Sequence, residues 1–169
     1  MEQENTNEDN WVCGCMTVRF DIEEGQVVDE IDSKMNFPDC LKKLISYFSF
    51  PDSYVQRPEN DLAYSFQISF DKKPLHCYVF FSQRKDANSP RGFFQKSFLL
   101  FSRIHLVTFF NSIVTEAGKL HSEGIPIPEL TKAINSNTPP KQFLEKKENQ
   151  IFKIIDKEIS KLKSIKFCK

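Results

Sequence analysis

Apolar and polar residues follow one another along this chain in blocks of recognisable period. Trp11 to Phe20, "WVCGCMTVRF", is almost continuously apolar and rich in strand formers, which predicts a strand buried on both faces. The polar "DIEEGQ" turns the chain into a short strand from Val27 to Ile31, a hairpin around Gly25. Pro38 and Asp39 open a helical pattern in which Leu41, Leu44, Ile45 and Phe48 share a stripe and Lys42, Lys43 and Ser46 face outward; Pro51 in "FPDS" stops it. After a loop from Ser53 to Asp61, Ala63 to Phe70 alternates with period two: Tyr64, Phe66, Ile68 and Phe70 point one way, Ser65, Gln67 and Ser69 the other. "DKKP" leads into a strand from His76 to Gln83, and a polar connection leads into another from Phe93 to Ser102, completing a meander.

From His105 to Leu120, Leu106, Phe109, Phe110, Ile113, Val114 and Ala117 recur at helical spacing. Glu123 to Pro140, with four prolines, reads as an excursion holding one short helical turn at Glu129 to Ile134. Lys141 to Lys166 carries a stripe of Leu144, Ile151, Ile155, Ile159 and Leu162 with lysines opposite, the pattern of a third helix. This order predicts an α+β fold: a five-stranded, mainly antiparallel sheet with helices on both faces, because three of its strands are too uniformly apolar to face water. That is the longin type of layer architecture, with the last helix covering the face that the first leaves open. Phe93, Phe94, Phe98 and Phe101 are core candidates.

At 169 residues the chain suits one domain, a size that buries about 70% of its unfolded surface. Seventeen Phe against five Gly describe a dense interior. We divide the chain into a disordered acidic tail (1–10) and one lobe (11–169), the Pro-rich excursion (123–140) included. Net charge is zero, yet residues 1–33 hold ten acids and one base while residues 141–169 hold nine bases and four acids. Basic residues cluster only in that lysine-rich segment, which weighs against a nucleic-acid partner. Cys13, Cys15, Cys40, Cys77 and Cys168 form no C-x-x-C pair and read as free, buried thiols. The polar start is no signal peptide and no apolar run could span a bilayer, so a cytosolic setting is expected.

Little in the sequence looks catalytic. His76, His105 and His121 stand on different elements, at a strand start, a helix start and past a helix end, and belong to no nucleophile or zinc motif. The five glycines are scattered and build no phosphate-cradling loop. Asp21, Glu23 and Glu24 read as a solvated turn, since a calcium site needs more oxygen ligands. We expect no metal and no cofactor. The connection "RKDANSPRG" has the residues of a hydrated hairpin tip: Asn88, Ser89, Pro90 and Gly92 for the turn, Arg84, Lys85, Asp86 and Arg91 for solvation.

That same stretch carries a resemblance. "YVFFSQRKD" (Tyr78 to Asp86) with "RGFFQKS" (Arg91 to Ser97) resembles the N-terminal lobe of DENN domain proteins, in the branch called DENN domain-containing protein six. "FDIEEGQ" (Phe20 to Gln26), "FPDS" (Phe50 to Ser53) and "FLEKKE" (Phe143 to Glu148) are similar to other pieces of that lobe in the same order; the Pro-rich segment is not. The resemblance implies a longin module and guanine-nucleotide exchange on a Rab-family GTPase in endosomal traffic, without covalent chemistry. It further implies a second lobe, in cis or in trans, and peripheral recruitment to endosomal membranes. Gln83, Arg84, Lys85, Asp86, Arg91, Gln95 and Lys96 are the candidate partner-binding residues, with Gln95 and Lys96 on opposite faces of one strand. The competing reading is a longin-type adaptor that scaffolds a trafficking complex without exchange.

Overall fold

The computed structural model describes residues 10–51, 59–137 and Ser160. Five strands form one antiparallel sheet in the order β2-β1-β5-β4-β3: β1 Gly14–Asp21, β2 Gly25–Ser33, β3 Glu59–Phe70, β4 Lys73–Lys85 and β5 Phe93–Ser102. The helices are α1 Asp39–Phe48, α2 Val107–Ser122 and α3 Ile127–Asn137. This is the expected α+β architecture of longin-like type.

The central strands β1, β5 and β4 are buried on both faces, as their uniform apolarity demands. Successive side chains alternate between two cores. Tyr78, Phe80, Phe98 and Leu100 meet Phe109, Phe110, Ile113 and Val114 of α2 and Ile127, Leu130 and Ile134 of α3 on one face. Cys77, Val79, Leu99 and Phe101 meet Phe37 and Ile45 on the other, with Tyr64, Phe66 and Phe70 of β3 packed at its margin. Gly118 lets α2 lie close on β4, for a Cβ there would collide with the Phe80 ring. Asp71 and Lys72 connect β3 to β4 at φ +52° and +59°, the two-residue turn whose twist suits a tight hairpin.

Four expectations need correction. The Pro-rich excursion contains a full helix, α3, rather than one turn: Pro126 immediately precedes it and Pro128 sits in its first turn, where a missing N–H costs nothing, and Ile127, Leu130 and Ile134 form its buried stripe. The second face of the sheet is covered by α2 and α3. The helix expected at 141–166 lies, apart from Ser160, outside the described residues, as do "FLEKKE" and the tail up to residue 9. Phe94 is 46% exposed and Phe93 half-buried, so of the four only Phe98 and Phe101 belong to the cores.

The fourth correction concerns α1. Its buried residues are Ile45 and Ser46, while Leu44 and Phe48 are exposed, so the helix is rotated from the orientation its apolar stripe predicts. Serines explain how. Ser46 Oγ donates to the Lys42 carbonyl (2.8 Å), Ser49 Oγ to the Ser46 carbonyl (2.7 Å), and Ser97 Oγ of β5 to the Ser49 carbonyl (2.6 Å). Small hydroxyl side chains bring the helix end down on the sheet, and every one of these hydroxyls has a backbone acceptor.

Candidate functional site

β4 and β5 pair as far as Lys85 opposite Phe93, leaving residues 86–92 as the tip. Asp86 N–H donates to the Gly92 carbonyl (2.9 Å), Gly92 N–H to Ser89 (2.8 Å), and Ser89 Oγ to Phe93 (2.7 Å). The Asp86 carboxylate accepts from Asn88 N–H at 2.9 Å, an Asx turn, and Gly92 supplies the left-handed φ of +75°. The tip is therefore held by its own hydrogen bonds. Asp86 spends its carboxylate on that local structure.

The other candidates divide between the two faces. Gln83 and Gln95 lie opposite one another on the α1 face, and Gln95 Nε2 donates to Gln83 Oε1 at 2.8 Å; Gln83 is buried. Arg84 grips Asp61 of β3 through both guanidinium nitrogens on the α2 face. Lys96 Nζ, on that face too, reaches Asp29 Oδ2 (3.2 Å) and His121 Nε2 (3.3 Å), so Gln95 and Lys96 do point apart. Lys85 is exposed, and exposed Arg91 stacks its guanidinium 4.0 Å above the Phe20 ring. The seven do not form one surface; Arg84, Lys85 and Arg91 are the exposed ones.

A bulge organises the charged face. Thr17 pairs with Glu30 and Val18 with Val28, which leaves Asp29 as an extra residue in β2. Asp29 and Glu30 consequently serve the same face: Asp29 receives Lys96 and Arg19 Nε (3.6 Å), while Glu30 lies 3.7 Å from His121 Nε2. His121 Nδ1 donates to the Ile125 carbonyl (2.9 Å), which in the neutral ring leaves Nε2 to accept from Lys96. His121 stands in the last turn of α2, not past its end. Sequence reasoning missed Asp29, Asp61 and Phe20 as partners, because a bulge and cross-strand register leave no mark in local composition.

The remaining histidines form a pair that the strand order could have disclosed. His76 and His105 stack with centroids 4.6 Å apart, brought together because β4 and β5 run antiparallel and His76 sits opposite Ser102. Burial, then the neighbouring His105, holds His76 below the usual imidazole range. Asp21 accepts from Glu23 and Glu24 N–H, and these bonds, then Arg19, lower its pKa; its carboxylate serves its own turn. Burial pushes the Cys15 and Cys77 thiols up to about 12, whereas Cys40 is exposed, contrary to the reading of all five thiols as buried. Among the described residues no group of three or more His, Cys, Asp or Glu is placed to hold a metal ion, and no helix is long and apolar enough to cross a membrane.

A concave region of about 850 Å³ is lined by Met35, Pro38, Cys40, Leu41 and Phe70, and two more lie at opposite ends of the sheet. One, of about 510 Å³, has charged Asp32, Lys34, Asp71, Lys73 and Arg103 around an apolar lining that includes Val12 and Met35; Arg103 Nη1 clamps the β3–β4 hairpin through the carbonyls of Phe70, Lys73 and Pro74. The other, about 310 Å³, lies near the tip end and is lined by Tyr47, Phe48, Phe50, Pro51, Leu62 and Tyr64.

Comparison with known proteins gives consistent relatives. The chain is 31% identical to the DENND6 homolog of Dictyostelium discoideum over 125 residues, 69% of this chain and 17% of that protein. It is 31% identical to mouse DENND6B over 129 residues (61% of this chain, 22% of the relative) and 30% identical to mouse DENND6A over 129 residues (62% and 21%). The chain thus spans about a fifth of the length of these relatives. No family model matches the sequence, and no solved structure matches the fold.

Proposed function

We propose that this chain, a relative of the DENND6 branch of DENN domain proteins, is the N-terminal longin-type lobe (residues 11–169) of an exchange factor for a Rab-family GTPase in endosomal traffic. One observation carries the reading: relatives of a single branch match 61–69% of the chain. The antiparallel five-stranded sheet supports it.

Exchange requires no bond to be made or broken in the protein. A GTPase whose switch regions are held open grips nucleotide poorly, and by reciprocity nucleotide weakens the exchanger's hold to the same degree. A surface is enough. In this reading Lys85 and Arg91 at the tip, with the Arg84–Asp61 pair beside them, belong to that surface. One lobe offers about half of a standard interface of roughly 1,600 Å², the range of weak contacts.

The test is binding of the purified chain to a panel of Rab GTPases in the nucleotide-free state, together with release of labelled GDP. Binding to one or a few Rabs, with little release by the chain alone, is expected. No detectable contact with any Rab, with or without a second DENN lobe, would sink the proposal. The adaptor reading is separated by an unchanged release rate even when the second lobe is supplied.

A further inference from the structure

Ser89 is the residue on which the hairpin tip closes. Its N–H donates to the Asp86 carbonyl (3.2 Å), its carbonyl accepts from Gly92 N–H (2.8 Å), and its Oγ donates to the Phe93 carbonyl (2.7 Å), so three of the tip's hydrogen bonds run through one side chain and its own backbone. The next residue is Pro90, and among the described residues Ser89 is the only serine or threonine followed by proline. Ala87, Asn88, Pro90 and Arg91 are exposed around it, and residues 86–92 lie beyond the last β4–β5 pair, so the tip can open without disturbing the sheet. Ser46, Ser49 and Ser97 provide the contrast: they are buried where α1 meets β5, out of an enzyme's reach while the fold is intact.

We propose that Ser89 is a phosphorylation site for a proline-directed protein kinase, and that phosphate there unlocks the tip. Proline after the acceptor serine suits a kinase pocket that offers no acceptor for a backbone N–H, because proline has none to leave unpaired. In the reaction Ser89 Oγ bonds to the γ-phosphorus of ATP on the kinase, the bond from that phosphorus to the β–γ bridging oxygen breaks, ADP leaves, and the hydroxyl proton passes to the kinase's aspartate. The product has no O–H to give the Phe93 carbonyl. It also carries a charge of about −1.5 to −2 into a turn that already holds the Asp86 carboxylate in place through Asn88 N–H. Arg91, two residues on, answers that charge better than it answers the Phe20 ring 4.0 Å below its guanidinium, since a charge-assisted hydrogen bond outweighs an exposed cation–π contact. The modification thus trades the contact that ties the tip to β1 for one inside the tip. None of this depends on what the tip binds, so the test contains no GTPase.

The purified chain is incubated with ATP and a cyclin-dependent kinase; phosphate is located by peptide-resolved mass spectrometry, and amide exchange of Asp86 and Gly92 is followed by NMR. Expected is phosphate on Ser89, incorporated about tenfold more slowly in Pro90→Ala, with both amides exchanging about tenfold faster once Ser89 is modified. Ser89→Ala, which loses the hydroxyl bond without gaining charge, should quicken exchange by less. A Ser89 left unmodified in the folded chain overturns the proposal, and a synthetic peptide of residues 84–96 tells why: if the peptide is modified the fold hides the site, and if it is not the sequence is no substrate. Phosphorylated Ser89 with amides exchanging at the unmodified rate refutes the unlocking. Quickening no greater than in Ser89→Ala refutes the part given to charge, and incorporation indifferent to Pro90 refutes the kinase class.

Discussion

Gln95 donates its side-chain amide to the side-chain carbonyl of Gln83 at 2.8 Å, joining β5 to β4 directly beneath the hairpin tip. Gln83 is only 2% exposed, so this amide pair is part of the interior rather than of the surface that the surrounding polar sequence suggests. It fixes the base from which the tip projects.

Removing one member of that pair leaves a buried polar group short of a bond. Gln95→Ala should cost about 1–3 kcal/mol in urea unfolding, and replacing both glutamines by Leu should cost less than the single change. A single variant as stable as wild type would show that the bond contributes nothing.

Tyr78 performs a similar service at the start of α2. Its hydroxyl donates to the Ile104 carbonyl (2.8 Å) and accepts from Leu106 N–H (3.1 Å), while its ring stacks on Phe110. Tyr78→Phe should lose about 1–3 kcal/mol. Burial raises the phenol from 10 to about 12, so the folded state holds this proton more tightly than the unfolded chain. Its contribution is complete below pH 10 and is lost as pH climbs from 10 toward 12. Cys15 and Cys77, raised from 9.0 to about 12, add losses that begin near pH 9. Melting temperature measured across this range should fall, and fall less steeply between pH 10 and 12 in Tyr78→Phe.

Arg84 and Arg91 hold surface positions, one against Asp61 and one over Phe20. Exposed pairs of either kind contribute about 1 kcal/mol or less, so Arg84→Ser/Arg91→Ser should stay folded with a small drop in melting temperature. Binding to a Rab recognised by the wild type should weaken about tenfold, equivalent to roughly 1.4 kcal/mol. Equal affinity in the variant would return the tip to a plain connection between strands.

Five strands and the first two helices were legible because their signals are local. Strict alternation from Tyr64 to Phe70 locates β3, and Pro38 marks the start of α1. The rotation of α1 was not legible, because hydrophobicity ranks Leu44 above Ser46, whereas Ser46 and Ser49 satisfy their hydroxyls on local carbonyls and Ser97 of β5 ties the helix end to the sheet. α3 was hidden by a general rule about prolines that fails in a first helical turn. The charged face depended on one extra residue, Asp29, whose effect exists only once β1 and β2 are paired. Of the candidate site, polarity could pick out Lys85 and Arg91 but could not distinguish them from Gln83, whose amide is interior.

The bulge also makes the two borders of the sheet unequal. β2 interrupts its ladder at Asp29, a feature that discourages a foreign strand from adding alongside, whereas β3 keeps unbroken register with β4 over its whole length. Any edgewise recruitment of an extended peptide, and any misassembly during overexpression, should therefore start along β3, and a lysine or proline placed on that border would be the economical way to keep the protein monodisperse.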